Sequence, residues 1–270
     1  MSANDLMLSA RRAQSLHTCM LLGVDFVPSS AIARDVAGGG DHDDQAPEVA
    51  RQDSSRSATV QRPQQQQMQH NSDKAAALAA LRERHDAECP HCTVVTSHTQ
   101  TVFGEGSPEA AIMFIGEAPG AEEDRTGRPF VGRAGQKLEE IIKAMGLTRE
   151  DVYIANVLKA RPPDNRTPTA EEAARCGPYL VEQIRIIQPL VLVTLGGPAT
   201  KLILERPEGI TRLRGIWASY DIGTRQIPVM PTFHPAYLLR NYTQETRSRV
   251  WSDIQAVMRC VKAGGVIPAS

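Results

Sequence analysis

Short apolar segments alternate with helix-length amphipathic segments through the C-terminal two-thirds of this 270-residue chain. Strand character is found in residues 111–115, 152–156, 190–195 and 227–231, and helical periodicity in residues 134–145, 169–187 and 243–261. Such alternation is typical of a parallel sheet that is covered by helices on both faces. We therefore predict an α/β fold: a single three-layer domain with a central, mostly parallel sheet flanked by helices, plus a disordered N-terminal extension.

Two of the predicted strands end in polar motifs. Strand 111–115 is followed by the motif GEAPG, residues 116–120, and strand 227–231 is followed after two residues by HPAYLLRN, residues 234–241. Ligands of open α/β sheets bind beyond the carboxyl ends of the strands, so we expect both motifs to line one pocket. The side chains nearby give this pocket a chemical character: Glu117 and Glu123 supply carboxylates, Phe130 offers a flat stacking face, and His234 can donate a hydrogen bond or stabilise an anion.

Three motifs in the same order resemble those of the family 4 uracil-DNA glycosylases, the iron-sulfur branch of their superfamily. They are GEAPGAEED followed after three residues by RPFVGRAG, then NVLK-x-RPP from Asn156 to Pro163, then HPAYLLRN. The resemblance covers roughly residues 74–262, and three long motifs in register are far more specific than one. It implies a hydrolase that flips uracil out of DNA and cleaves its N-glycosidic bond, leaving an abasic site for base-excision repair. No lysine is placed to argue for strand cleavage, so we expect a monofunctional enzyme.

The resemblance also assigns roles in binding the base. The amide of Asn156 presents a donor and an acceptor side by side, which matches O4 and N3–H of uracil. Phe130 is the ring on which the flipped uracil stacks, and Gly116 and Ala118 lie beside the base. His234 hydrogen-bonds uracil O2 as negative charge develops on the departing base. Considered alone, Asn156 would be a turn or helix-cap residue, Phe130 a core aromatic and His234 a structural histidine.

Water activation and DNA insertion are assigned less directly. The best-known branch of the superfamily places an aspartate where this chain has Ala118, so Glu117 is the nearest carboxylate that could orient water, with Glu123 second. A carboxylate at this turn could equally cap the following helix. The HPAYLLRN stretch resembles the DNA-inserting loop. Within it, the wedge is Tyr237 or Leu238, unless both are core side chains, and Arg240 and Asn241 lie where the flipped strand enters.

The cysteine pattern departs from that family at one position. The family pattern has C-x2-C near the domain start, a third cysteine directly after N-x-x-K and a fourth sixteen residues further on. Cys89, Cys92 and Cys176 match, but Ala160 stands at the third position. We predict that a four-iron four-sulfur (4Fe-4S) cluster is retained. A substitute ligand would be His91, Cys260 or solvent; zinc held by three cysteines and a histidine, or no metal, are the alternatives.

Composition divides the chain into four parts. We predict that residues 1–28 form a short amphipathic segment and that residues 29–73, rich in Gly, Asp, Ser and Gln, form a disordered linker. Residues 74–264 form the glycosylase domain, whose first helix runs from Lys74 to His85, and residues 265–270 form a tail. The N-terminal segment is either a loosely packed appendage or a docking element for a repair or replication protein.

Composition also limits where and how the protein acts. The sequence has neither an apolar run that spans a bilayer nor a secretory signal, so we expect a soluble, cytoplasmic monomer without membrane contacts. A net charge of -1 gives no global basic surface for uracil-containing DNA, its expected partner. The second hypothesis, from another class, is a catalytically weak glycosylase-like module with a degenerate metal site, which binds DNA or associates with a polymerase.

Overall fold

A six-stranded sheet forms the centre of the computed structural model, which describes residues 62–267, with side chains from residue 73 onward. The strands are β1 (Glu105–Gly106), β2 (Ile112–Gly116), β3 (Tyr153–Asn156), β4 (Val191–Leu195), β5 (Ala218–Asp221) and β6 (Gln226–Thr232). Their order across the sheet is β1-β3-β2-β4-β6-β5. The four inner strands are parallel, and β1 and β5 are antiparallel edges. The predicted α/β fold with a mostly parallel sheet is confirmed.

Helices cover both faces of this sheet. They are α1 (Arg62–Glu88), α2 (Ala121–Thr126), α3 (Arg133–Ala144), α4 (Ala170–Ile187), α5 (Gly197–Leu204), α6 (Ile210–Leu213), α7 (Pro235–Arg240) and α8 (Gln244–Lys262), with 3-10 turns at Arg149–Asp151 and Pro163–Asn165. Alternate residues of β2 point to opposite faces. Phe114 joins a core with α3 and α8, whereas Met113 and Ile115 join a second core with α4 and α5. Within residues 62–267, no helix is both long and apolar enough to cross a bilayer.

The first described helix differs from the prediction. It begins at Arg62 rather than at Lys74, so the end of the segment predicted as a disordered linker is helical. Glutamine and methionine are good helix formers, and Pro63 stands in the first turn, where proline is tolerated. Nothing between Pro63 and Lys74 therefore stops the helix. The predicted amphipathic segment 1–28 and the linker up to residue 61 fall before the part of the chain that the structure describes, as the last three residues of the tail fall after it.

The register of the parallel strands brings their carboxyl ends to one edge of the sheet. Gly116 at the end of β2 pairs with Asn156 at the end of β3, and Leu195 of β4 pairs with Thr232 of β6. The segments that follow these four strands therefore leave the sheet together. This is the edge at which ligands of open α/β sheets bind.

Candidate active site

A cleft of about 500 Å³ opens at this edge. Of the residues predicted for the pocket, it is lined by Glu117, Ala118, Glu123, Phe130, Asn156, His234 and Arg240. Pro162 of the NVLK-x-RPP motif also lines it, as do Gly196, Gly197 and Pro198 where β4 leads into α5. Asn165, Arg166 and Thr167, which the sequence did not single out, complete the lining. The motifs after β2, β3 and β6, separated by up to about a hundred residues in the chain, thus meet in one cavity.

Asn156 forms a buried polar wall of the cleft. Its side chain is only 1 % exposed, and Oδ1 has no hydrogen-bond partner among the described residues. Leaving a buried acceptor without a donor costs about 1 to 3 kcal/mol, so such atoms are rare in folded proteins. One that lines a cleft indicates a donor on a bound ligand. Gly116 lies between this amide and the Phe130 ring, and a Cβ at Gly116 would overlap both. The absence of a side chain at residue 116 therefore keeps the amide and the ring side by side.

Phe130 is held in an unusual backbone conformation. Its φ is 51°, a left-handed value that costs free energy for a residue with a side chain. Arg149 fixes this turn by donating from Nη1 to the carbonyl of Phe130 at 2.9 Å and from Nη2 to the carbonyl of Pro129 at 2.6 Å. Gly135 packs directly against the Phe130 backbone, where a Cβ would overlap it. The ring is thereby presented to the cleft, with its centroid 5.7 Å from that of His234.

His234 is the N-cap residue of α7 and faces Phe130 across the cleft. Its Nδ1 accepts a hydrogen bond from the backbone N–H of Ala236 at 3.1 Å, so the ring proton of the neutral form is on Nε2. Burial, together with the positive charge of Arg240, lowers the pKa of His234 to about 4. The imidazole is therefore neutral near pH 7 and offers one donor, Nε2–H.

Glu117 follows β2 directly and is half-buried at the mouth of the cleft. Burial raises the pKa of its carboxyl group above the ordinary value, against the opposing effect of a hydrogen bond with Thr167. Thr167 belongs to the segment after the 3-10 turn Pro163–Asn165, and no motif in the sequence indicated that this segment would reach the cleft. A desolvated carboxylate is more basic than one in water, which suits it to polarise a water molecule.

Glu123, the second carboxylate predicted for catalysis, makes different contacts. Its Oε1 accepts hydrogen bonds from the backbone N–H groups of Val131 and Gly132, each at 2.9 Å, and its Oε2 accepts from Gly120 at 3.1 Å. These bonds join the GEAPG turn to the segment that carries Phe130. The geometry thus favours Glu117 for water and gives Glu123 a positioning role, in line with the capping alternative.

Replacing Glu123 by alanine is expected to lower the free energy of unfolding by about 1.5 to 3 kcal/mol, because three backbone donors lose a charged acceptor. Urea unfolding monitored by circular dichroism measures this. Glu122→Ala is the matched control: among the described residues the Glu122 carboxylate pairs with Arg125 at the surface, so its loss should cost under about 1 kcal/mol. Equal losses for the two variants would contradict the assigned role.

The predicted DNA wedge needs one correction. Leu238 is only 2 % exposed and belongs to the core beside Ile141 and Trp251, so it cannot insert between bases without unpacking that core. Its neighbour Leu239 is the exposed side chain, because one residue along a helix turns the side chain by about a quarter of a turn. Tyr237 stacks on Phe233 with centroids 4.6 Å apart, and its wedge role stays a prediction.

The two polar residues at the end of α7 occupy different positions. Arg240 is exposed and lines the cleft, whereas Asn241 is partly buried and donates from Nδ2 to the carbonyl of Tyr237 at 3.3 Å. Arg240 can therefore meet a phosphate at the mouth of the cleft, and Asn241 ends the helix. Their contact with DNA stays a prediction.

The three cysteines of the predicted metal site meet on the far side of the sheet from α3 and α8. Their thiols form one buried group with the imidazole of His85, and all four candidate ligand atoms lie within 4.8 Å of one another. We call His85, Cys89, Cys92 and Cys176 the Cys3His tetrad. Thiolates and imidazole are ligands that Zn²⁺ and iron prefer, so the tetrad fits a metal site.

The fourth donor in this group is His85, and neither His91 nor Cys260, the residues proposed from the sequence as the substitute ligand, belongs to it. Cys260 packs in the opposite core, and His91, although buried, lies outside the tetrad. His85 stands one helical turn before Cys89. That spacing was a signal in the sequence, but only the packing of α1 against α4 brings His85 to Cys176.

Comparison with known proteins identifies the class. The family model of the uracil DNA glycosylase superfamily matches residues 103–255, which contain all the cleft residues described above. The chain belongs to this superfamily. Its similarity to proteins named type-4 uracil-DNA glycosylases then narrows the relationship. The chain is 48 % identical over 179 residues to that of Thermotoga maritima, covering 66 % of this chain and 92 % of the relative.

Two archaeal relatives carry the same name. The type-4 uracil-DNA glycosylase of Sulfurisphaera tokodaii is 48 % identical over 158 residues, 57 % of this chain and 72 % of the relative. That of Archaeoglobus fulgidus is 42 % identical over 173 residues, 63 % of this chain and 86 % of the relative. The resemblance to family 4 that the three motifs indicated is confirmed.

Proposed function

We propose that the protein is a monofunctional uracil-DNA glycosylase, which removes uracil from DNA by hydrolysis and leaves an abasic site. The observation that carries this proposal is the buried Oδ1 of Asn156, which has no partner among the described residues and lies beside the Phe130 ring. An acceptor held in this way fits the N3–H of a flipped uracil, and the adjacent amide N–H fits O4. Cytosine presents the reverse pattern and would leave both groups unpaired, so it is disfavoured.

Cleavage of the N-glycosidic bond leaves negative charge on the uracil ring. The Nε2–H of His234 is suited to donate to uracil O2 as this charge develops. Because the pKa of His234 is about 4, the imidazole is already neutral at pH 7 and donates a hydrogen bond without transferring a proton. A preorganised donor of this kind contributes about 2.7 to 4 kcal/mol to stabilising a transition state.

The sugar becomes electron-deficient as the bond breaks, and water must attack its C1′ atom. The carboxylate of Glu117 is suited to orient this water and to accept its proton, since its desolvation makes it more basic than an exposed carboxylate. Stacking on Phe130 supplies about 1 to 3 kcal/mol, which helps to offset the cost of removing the base from the helix. Arg240 offers a positive charge for a phosphate at the mouth of the cleft.

A metal held by the Cys3His tetrad would have a structural role, because the tetrad lies outside the cleft and joins the end of α1 to α4. No step of the hydrolysis passes through it. The predicted 4Fe-4S cluster stays a prediction, as do the cytoplasmic location, the monomeric state and a repair or replication partner for residues 1–28.

The proposal is tested by release of labelled uracil from an oligonucleotide that contains one uracil, with matched thymine and cytosine oligonucleotides as controls. We expect free uracil only from the first, and a strand that breaks at the abasic site only after alkali. A folded protein that binds the uracil oligonucleotide without releasing the base would overturn the proposal in favour of the DNA-binding module.

The pH dependence separates the two titrating groups of the cleft. The rate should fall on acidification as Glu117 is protonated, and this fall should lie above pH 4.5 because the pKa of Glu117 is raised from that value. His234 titrates lower, near pH 4, so it does not cause the fall. In Glu117→Gln the acidic fall should disappear together with most of the activity. A variant that keeps the wild-type pH profile would exclude Glu117 as the base.

A further inference from the structure

The Cys3His tetrad has the spacing of ligands on one metal ion. Cys92 Sγ lies 3.6 Å from Cys176 Sγ, and His85 Nε2 lies 3.3 Å from Cys92 Sγ and 4.0 Å from Cys176 Sγ. Ligands on a tetrahedral Zn²⁺, with Zn–S near 2.3 Å and Zn–N near 2.05 Å, lie about 3.8 Å apart for two sulfurs and about 3.5 Å apart for sulfur and nitrogen. These three distances scatter around those values, and Cys89 Sγ lies within 4.8 Å of the other three donor atoms.

A four-iron cluster makes a different demand on its ligands. Each of its irons stands at a separate corner of a cube and takes its own external ligand, so the ligands are kept apart by the whole cluster. In this chain all four donor atoms lie within 4.8 Å of one another, and the third cysteine position of the family is Ala160, which is fully buried and offers no donor. The donors are therefore grouped as for one ion.

His85 is oriented as a metal ligand. Its Nδ1 lies 2.8 Å from Oδ1 of Asp86, and the same carboxylate oxygen accepts a hydrogen bond from Thr101 Oγ1 at 2.7 Å. A carboxylate on Nδ1–H fixes the proton there and leaves the Nε2 lone pair free, and Nε2 is the atom that faces the sulfurs. Histidine ligands of zinc almost always have such a partner. The imidazole is fully buried, so its orientation does not depend on solvent.

The cysteines also have the surroundings of thiolates. The backbone N–H of Lys159 donates to Cys176 Sγ at 3.3 Å, and the backbone N–H of Cys92 donates to Cys89 Sγ at 3.5 Å. The side chain of Lys159 is also fully buried, and its ammonium group donates to the carbonyl of Asn156 at 2.9 Å and to Oε1 of Gln183 at 2.6 Å. Three thiolates, a neutral imidazole and Zn²⁺ carry a net charge of -1, opposite in sign to the charge of the buried Lys159 ammonium group.

We propose that His85, Cys89, Cys92 and Cys176 bind a single Zn²⁺ ion, with His85 as the ligand that replaces the missing cysteine. The ion fastens the end of α1 to α4. It also supports the segment after β3, because Lys159, whose backbone bonds Cys176, donates from Nζ to the carbonyl of Asn156 at 2.9 Å. The inference stands on the tetrad alone and does not depend on the glycosylase activity.

The first test is metal content. The full chain, purified from cells supplied with both iron and zinc, is analysed by elemental mass spectrometry and by visible absorption. One zinc per chain without the broad absorption of iron–sulfur charge transfer supports the proposal. Several irons with equimolar sulfide, a single iron in place of zinc, or a chain that folds without any metal would overturn it.

The second test assigns the ligand. His85→Ala should weaken zinc binding by more than about 100-fold, measured by competition with a chromophoric chelator, and Asp86→Ala should weaken it by about 10- to 100-fold through the lost orientation of the imidazole. His91→Ala is the matched control: this histidine is also buried, lies between Cys89 and Cys92 but outside the tetrad, and should leave zinc affinity unchanged. Zinc loss in His91→Ala with full retention in His85→Ala would overturn the assignment.

A spectroscopic readout covers the case in which His85→Ala does not fold. Co²⁺ bound in place of zinc absorbs through sulfur-to-cobalt charge transfer, whose intensity increases with the number of thiolates. Wild type should give the spectrum of three thiolates in a tetrahedral site, and His85→Cys should give that of four. An unchanged charge-transfer intensity in His85→Cys would show that residue 85 does not reach the metal.

Discussion

Replacing His234 by alanine is expected to slow uracil release by about 100- to 1000-fold under single-turnover conditions, with little change in DNA affinity. The reason is that Nε2–H is the donor placed for the developing negative charge on uracil O2, and loss of one such donor costs about 2.7 to 4 kcal/mol in the transition state. The neutral state of the imidazole, set by a pKa of about 4, means that the loss should be nearly constant from pH 6 to 8.

His234→Ala also removes the N-cap of α7, and this second effect needs its own control. Thr243 caps α8 in the same way, with its side chain accepting from the backbone N–H of Thr246 at 3.1 Å, and it does not line the cleft. Thr243→Ala should lose a similar stability, about 1 kcal/mol, with uracil release unchanged. If the two variants slowed uracil release equally, the effect of His234→Ala would come from the lost helix cap and not from the lost hydrogen bond to uracil O2.

The inner strands and the helices α3, α4 and α8 could be predicted because each is encoded locally. The apolar run before Gly116 and the capping box at Thr169, where Thr169 accepts from the Glu172 backbone at 3.2 Å, fix elements from neighbouring residues alone. The edge strands β1 and β5 were not predicted. Strand β1 has only two residues, and neither β1 nor β5 contains a run of buried residues. They become strands only through pairing with β3 and β6, so the local sequence does not reveal them.

The site was predictable wherever a motif directly follows a strand. Asn156 and His234 are in the cleft because the ends of β3 and β6 lie at one edge of the sheet. Glu123 could be placed near the cleft, but its three backbone donors depend on how a loop folds back on it. Assigning His85 as a ligand requires the contact between His85 and Cys176, which lie ninety-one residues apart in the chain. Helical spacing does not reveal that contact. Sequence patterns thus locate strand ends and leave long-range packing open.

Replacing Gly116 by alanine should lower the rate of uracil release by about 100-fold or more while the protein stays folded. A Cβ at residue 116 would overlap Oδ1 of Asn156 and the ring of Phe130, so the amide and the stacking surface must both move. A displacement of about 1 Å in a group that positions substrate can cost about 100-fold in rate. The change tests the pocket without removing any functional group, since both side chains are still present.

The matched control is Gly209→Ala. Gly209 caps α6 outside the cleft, and a Cβ there meets only the Thr211 hydroxyl at 3.9 Å, so neither rate nor melting temperature should change much. In Gly116→Ala the far-UV circular dichroism should match that of wild type. The added methyl group occupies the space between the Asn156 amide and the Phe130 ring. For release of uracil from an oligonucleotide, we therefore expect kcat to decrease more than KM changes. A Gly116→Ala variant with wild-type turnover would mean that the base does not bind between Asn156 and Phe130, and the recognition step would have to be sought elsewhere in the cleft.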